Sequence, residues 1–136
     1  MTTLKPIEIA TGQDITIELR EVYVVRGANK AYLTESGALN KLAYVRAQRQ
    51  FDEEDRSSNF PAIKVKQEDG TTKLRRGKMR PEFIERHAQV LEELKADVRR
   101  ERERIVLQKK YSKAMNEINS LHEKISELEI QIAELE

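Results

Sequence analysis

The chain has 136 residues, of which 36% are charged and 5% aromatic, with no tryptophan, so its apolar residues can form only a small core. Its net charge of +1 excludes polyanion binding through overall charge alone, and the lack of cysteine excludes disulfides, thiolate chemistry and cysteine-ligated zinc. Neither a signal-peptide core nor a run of about 18 apolar residues is present, so we expect a soluble, cytoplasmic protein.

The first 33 residues contain short runs in which apolar and polar side chains alternate. The runs are residues 5–10, 15–19, 22–25 and 30–33, and the turns between them include residues 11–14 and 26–29. A period of two that is interrupted by glycine-containing turns is typical of antiparallel strands. The sequence therefore predicts a small N-terminal antiparallel sheet of three or four strands, with residues 5–19 forming its first hairpin.

A helix is predicted next, beginning near Thr34 or Ser36, since either hydroxyl can accept a hydrogen bond from an early backbone N–H. Apolar residues recur at helical spacing as far as about Gln50. The face expected to pack on the sheet consists of Leu39, Leu42, Ala43, Arg46 and Ala47. A run of four acids (residues 52–55) and a polar linker follow. We therefore expect residues 1–55 to form a small α+β head domain.

Residues 22–47 read VYVVRGANKAYLTESGALNKLAYVRA, in which a strand pattern ends in Tyr-Leu-Thr and leads into the alanine-rich helix. This segment resembles short segments in small, mostly uncharacterised accessory proteins of temperate phages, where a strand ending in a similar triplet leads into such a helix. The resemblance implies a phage or prophage origin. It covers these residues alone and transfers no functional residue.

Residues 56–80 are predicted to form a linker and a second, basic hairpin. Alternating runs flank Asp69-Gly70, a dipeptide typical of hairpin turns. Residues 61–80 contain two acids and seven basic residues: Lys64, Lys66, Lys73, Arg75, Arg76, Lys78 and Arg80. From the alternation we expect Lys64, Lys66, Lys73 and Arg75 to share one face, opposite the apolar side chains.

This basic stretch is the main candidate for a functional site. Lysine and arginine displace counterions from nucleic acid, and a β-ribbon has a shape that enters a groove, so we interpret these seven residues as a nucleic-acid-binding patch. A protein partner is a second interpretation. Two structural interpretations also stay open. In one, the lysines keep an exposed strand edge from pairing with another strand. In the other, the basic patch docks on the acidic run at residues 52–55.

Residues 81–136 are predicted to form one long helix, with Pro81 suited to its first turn. Its second half carries an apolar seam with a mean spacing of 3.5 residues, typical of a coiled coil over residues 107–136. The seam consists of Leu107, Tyr111, Ala114, Ile118, Leu121, Ile125, Leu128, Ile132 and Leu135. Residues 99–104 (RRERER) interrupt it, and we expect a slackened or splayed coil or a bend near residues 99–106. Their arginines are expected to pair with neighbouring acids.

The composition of the seam favours a parallel homodimer, because isoleucine at position a and leucine at d pack best in two parallel strands. In that arrangement Lys124 faces Glu129 of the other chain. No asparagine occupies position a, since Asn116 and Asn119 fall at f and b. A trimer, an antiparallel pair or a fold-back onto the chain's own helix therefore stays open.

No arrangement of residues indicates catalysis or a cofactor. His87 and His122 are the only histidines, and neither recurs at a ligand spacing, so we predict no metal site. The sequence as a whole predicts a non-enzymatic α+β protein with a coiled-coil tail that dimerises it. Our first hypothesis is an accessory or regulatory protein that binds nucleic acid through the basic hairpin. The alternative is a protein-binding inhibitor or adaptor, for example a phage inhibitor of a host system.

Overall fold

The computed structural model describes residues 3–136 and divides into two units, one ending at Ala88 and one beginning at Gln89, which are treated separately. The elements, in chain order, are α1 (Pro6–Ala10), β1 (Tyr23–Val25), β2 (Lys30–Tyr32), α2 (Glu35–Glu53), β3 (Ile63–Lys66), β4 (Thr72–Arg75) and α3 (Pro81–Leu135). Two separate antiparallel hairpins, β1–β2 and β3–β4, are formed. The fold class is therefore α+β, as predicted.

The hairpin predicted over residues 5–19 is wrong, because α1 forms there and no strand precedes β1 in the described part of the chain. Pro6 fits the first position of a helix, where its missing N–H is not needed. The Glu8 carboxylate accepts hydrogen bonds from the backbone N–H groups of Lys5 at 3.0 Å and Ile17 at 3.3 Å. This capping outweighs the alternation of apolar residues, and the N-terminal sheet has two strands rather than three or four.

The first hairpin, β1–β2, lies against α2. Its register pairs Val25 with Lys30. The turn between them contains Gly27 at φ +94° and Asn29 at φ +49°, two residue types that adopt this left-handed conformation more readily than others. Val25 is buried, so its side chain fixes the hairpin to the helix. The strands predicted on either side of this turn are confirmed.

Helix α2 begins as predicted, with the Thr34 hydroxyl accepting a hydrogen bond from the Gly37 N–H at 3.1 Å. It ends at Glu53, almost one turn beyond the predicted end at Gln50. Its fully buried side chains recur every four residues: Ala43, Ala47 and Phe51. This narrow stripe is the helix's contribution to the core.

A small aromatic cluster joins the end of α2 to the start of α3. The ring of Phe83 lies 5.1 Å from that of Phe51 and 5.3 Å from that of Tyr44, between centroids, at interplanar angles of 85° and 75°. Both phenylalanines are buried. Edge-to-face pairs of this kind stabilise by about 0.5–1.5 kcal/mol beyond the burial of area.

Polar contacts surround this cluster. The Arg86 guanidinium donates hydrogen bonds to the Glu54 carboxylate at 3.1 and 3.2 Å and to the Gln50 side-chain oxygen at 3.1 Å. At the next residue of α3, His87 Nε2 lies 3.2 Å from the carbonyl oxygen of Asn40, which precedes Gln50 by ten residues on α2. The first turns of α3 therefore contact α2 at two places, one at the end of α2 and one in its first half.

Helix α3 is unbroken from Pro81 to Leu135, including residues 99–106, where the apolar seam is interrupted. All side chains from residue 99 onward are exposed. Because the helix has no turn, the tail does not fold back along it, and the fold-back alternative is wrong. The coiled coil itself stays a prediction.

Candidate nucleic-acid interface

The second hairpin continues beyond β3 and β4 to a closed base, and we call residues 58–80 the ribbon. At the base, the backbone N–H of Phe60 donates to the carbonyl of Lys78 at 2.8 Å. The N–H of Arg80 donates to the carbonyl of Ser58, also at 2.8 Å. These bonds hold the two ends of the ribbon together immediately before α3 begins.

Two residues that sequence reasoning did not assign to the site fasten this base. The Asn59 side-chain N–H donates to the Gly77 carbonyl at 2.8 Å. A Cβ at Gly77 would lie 2.0 Å from the carbonyl oxygen of Phe60, so only glycine fits between the two strands. The signal in the sequence is a glycine inside a run of basic residues, and this becomes meaningful only once the facing strand is known.

A three-residue turn, residues 68–70, forms the tip of the ribbon. The Gln67 N–H donates to the Thr71 carbonyl at 2.8 Å, and Gly70 has φ +85°, the left-handed conformation that ends such turns. The Asp69 carboxylate accepts from the Thr71 hydroxyl at 2.6 Å and from the Thr71 N–H at 3.0 Å. These two hydrogen bonds, the hydroxyl first, lower the pKa of Asp69.

The turn determines which side chains share a face, because residues opposite each other in an antiparallel pair point the same way. The pairs are Ile63 with Arg75, Lys64 with Leu74, Val65 with Lys73, and Lys66 with Thr72. The prediction that the four basic side chains of the strands share one face is therefore wrong. A two-residue turn would pair Lys64 with Arg75 and place all four basic side chains on one face. The three-residue turn shifts the register by one residue, so the side chains of β4 lie on the opposite faces from those expected.

The seven basic residues of the ribbon are available for binding. Six are exposed, Arg80 being half-buried. Among residues 3–136, none of the seven forms an ion pair, and every side chain of β3 and β4 is exposed except the half-buried Val65. The acids at residues 52–55 have other neighbours, since Glu54 pairs with Arg86 and Asp52 accepts from Gln48. The interpretation in which the patch docks on this acidic run is therefore wrong.

Arg80 differs from the other six basic residues. Its guanidinium carbon lies 5.2 Å from the centroid of the Phe60 ring, a cation–π contact. Its Nε atom is buried and has no hydrogen-bond partner among the described residues. Arg80 therefore helps to hold the base, and we expect it to contribute less to phosphate binding than the exposed six.

The arginines of residues 99–104 behave as a solvated helix face. Arg100 pairs with Asp97 and Arg104 pairs with Glu101, in each case one turn back along α3. The hydrogen bond from Arg104 lowers the pKa of Glu101, and the same contact raises the pKa of Arg104. The prediction that these arginines pair with neighbouring acids is confirmed for both pairs.

Residues 3–136 contain no cluster of three or more His, Asp or Glu side chains that could hold a metal ion. None of the helices described carries an apolar stretch of the length needed to cross a bilayer.

The predicted coiled-coil seam is an uncovered apolar stripe on α3. Its eight large side chains have between 45% and 90% of their surface exposed. They are Leu107, Tyr111, Ile118, Leu121, Ile125, Leu128, Ile132 and Leu135; Ala114 is exposed as well. A single copy of this helix leaves the whole stripe in water.

No protein-family model, curated protein or solved structure matches this chain.

Proposed function

We propose that this chain is a non-enzymatic accessory or regulatory protein that binds nucleic acid through the ribbon and dimerises through its tail. The observation that carries the proposal is the set of six exposed basic side chains on the ribbon, none with an ionic partner within residues 3–136. Lysine and arginine in this state bind phosphates by releasing condensed counterions. The proposal includes a cytoplasmic location and the temperate-phage origin that the sequence suggests.

The scaffold favours this use of the charges. The hydrogen bonds of Phe60 and Arg80 close the ribbon at its base, and that of Gln67 closes it at the tip. A backbone that is ordered before binding loses less conformational entropy when the ligand arrives. The basic side chains therefore project from a preorganised backbone.

Dimerisation is the second part of the proposal. A second copy would cover the apolar stripe of α3 with isoleucine at a and leucine at d, the combination favoured in parallel pairs. Two ribbons on one dimer would double the phosphate contacts and steepen the salt dependence of binding.

The first test compares the unaltered protein with a variant carrying Lys73→Glu, Arg75→Glu and Arg76→Glu. We expect the affinity for nucleic acid to fall steeply with salt and to fall by at least about 100-fold in the variant, because three phosphate contacts become repulsions. Fluorescence anisotropy at several salt concentrations measures both. Affinity that survives the three changes would move the site away from the ribbon.

A second test addresses the tail. We expect Ile125→Asp to convert the dimer to a monomer, because it introduces a charge at the centre of the seam, where unpaired charge is costly. Asn119→Asp adds the same charge at an outward position and is the control. Light scattering coupled to chromatography, after nuclease treatment, gives the mass. A dimeric Ile125→Asp variant would show that the seam is not the interface.

The alternative function is a protein-binding inhibitor or adaptor, and one feature of the head favours it. Val22, Val24 and Leu33 are exposed along the first hairpin, with Leu39 and Leu42 partly exposed nearby on α2. An apolar surface of this kind is typical of protein contacts. This function predicts a stoichiometric protein complex that persists in high salt after nuclease treatment, which nucleic-acid binding alone does not.

A further inference from the structure

The ribbon carries basic side chains on both of its faces. Lys73 and Arg75 lie on the face that includes Ile63 and Val65. The opposite face carries two lysines and the other two strand residues: Lys64, Lys66, Thr72 and Leu74. A ribbon that met its ligand with one face alone would have half of this charge directed away from the ligand.

Both faces are open. Every side chain of β3 and β4 is exposed except that of Val65, which is half-buried, and two of the apolar residues lie largely in water, Ile63 being 62% and Leu74 72% exposed. A two-stranded hairpin without a covering layer is marginally stable, and the hydrogen bonds that close the ribbon at both ends offset this. Both of its faces are thereby left free to contact a ligand.

The groove of a nucleic-acid duplex offers two such surfaces, because a phosphate backbone forms each wall. The major groove of B-form DNA is about 12 Å wide and admits a two-stranded ribbon. Packed sheets lie about 10 Å apart, so a ribbon with side chains of medium length on both faces is of similar thickness, and its longer lysines and arginines can extend to the walls. Standing edge-on in the groove, it presents one face to each backbone.

Other nucleic acids fit less well. A single strand has one backbone and is usually held by aromatic stacking, whereas β3 and β4 contain no aromatic residue and the Phe60 ring lies against Arg80. The major groove of A-form RNA is too narrow and deep for side chains to enter.

We infer that the ligand of the ribbon is duplex DNA, bound edge-on in the major groove. Lys73 and Arg75 contact the backbone of one strand, and Lys64 and Lys66 contact that of the other. This inference rests on the proposed function and adds to it the class of nucleic acid and the two-sided contact. The exposed acids of the tip, Glu68 and Asp69, repel phosphates and therefore lie beyond the groove walls.

The test neutralises each face separately on the full-length protein. One variant carries Lys64→Gln and Lys66→Gln, and the other carries Lys73→Gln and Arg75→Gln. A control with Lys109→Gln and Lys113→Gln, on exposed outward positions of α3, changes the net charge by the same amount. Affinity for a short DNA duplex is measured over a range of salt, and circular dichroism checks that all variants fold alike.

We expect each face variant to lose affinity by about tenfold or more and to reduce the salt slope by about two per chain, with less than a twofold change in the control. Neutral methylphosphonates placed on either DNA strand are expected to weaken binding to a similar degree. The unaltered protein is expected to bind the duplex more tightly than single-stranded DNA or duplex RNA.

The failures are distinguishable. If only one face variant or one methylphosphonate strand matters, or if single-stranded DNA or duplex RNA binds as tightly, the inference is overturned while the proposed function stands. If the control loses as much affinity as the face variants, the ribbon is not the site and both fail. If no nucleic acid binds the unaltered protein, the proposed function itself is overturned.

Discussion

The two hairpins have the same antiparallel topology, with strands of three residues in the first and four in the second, but they have different surroundings. The first, β1–β2, lies on α2 and buries Val25, whereas in the second, β3–β4, only Val65 is half-buried and all other strand side chains are exposed. The first hairpin is thus stabilised by a core, and the second by its base and its turn.

If the ribbon binds nucleic acid as proposed, this difference separates the part of the protein that supplies stability from the part that binds. A hairpin held by a core must devote one face to packing. The ribbon is held at its ends instead, by the glycine fit at Gly77 and by the turn around Asp69, so both of its faces can carry charge. Substitutions in the core, at the base of the ribbon and in its turn should therefore affect the two hairpins differently.

The largest expected effect comes from the core. Phe83→Ala removes the buried ring that contacts Phe51 and Tyr44, and we expect a loss of about 3–5 kcal/mol of unfolding free energy. Ile84→Ala, at an exposed neighbour, should change it by about 0.5 kcal/mol or less. Urea unfolding measures both, and similar losses in the two variants would mean that the aromatic cluster does not stabilise the head.

The base of the ribbon should show a large but local effect. Gly77→Ala forces a Cβ against the Phe60 carbonyl, and we expect the base to open at a cost of about 2–3 kcal/mol. Hydrogen exchange at the Phe60 and Arg80 amides should accelerate, while exchange at Val25 stays as it was. Lys78→Ala, at an exposed neighbour whose carbonyl still accepts from Phe60, is the control. Equal acceleration in both hairpins would show that they are one cooperative unit.

The sequence predicted those parts of the fold that depend on local signals. The turns of both hairpins contain residues that adopt left-handed conformations, and both turns were predicted. The cap of α2 at Thr34 and the start of α3 at Pro81 were predicted as well. The strand predicted from the alternation of residues 5–10 was wrong, because Pro6 and Glu8 favour a helix more strongly than two isoleucines favour a strand.

The candidate site was predicted in composition but not in geometry. The seven basic residues were recognisable from local charge, whereas their division between two faces depends on whether the turn contains two or three residues. Asp69-Gly70 occurs in both kinds of turn, and the contacts of Asp69 with Thr71 accompany the longer one. The fit of Gly77 against Phe60 involves residues 17 positions apart, and no local pattern reveals it.

The smallest expected effect concerns the turn and its response to acid. The hydrogen bonds from Thr71 lower the pKa of Asp69 from its ordinary value of 3.8. A carboxyl whose pKa is lowered by folding stabilises the folded state above its unfolded pKa, and this contribution is lost as the pH falls through the lowered value. The turn should therefore be intact at neutral pH and weaken only below about pH 4.

Thr71→Val tests this cause, because it removes the hydroxyl donor while keeping the shape of the side chain and the backbone N–H. We expect the pKa of Asp69, followed by NMR of its carboxyl carbon, to rise towards its ordinary value. Thr72→Val, at the next residue and without a bond to Asp69, should leave it unchanged. If both variants raised the pKa equally, a general effect of the altered ribbon would explain the shift better than the hydroxyl. If Thr71→Val alone raises it, the hydrogen bond between Asp69 and the Thr71 hydroxyl at the tip of the ribbon is present in solution.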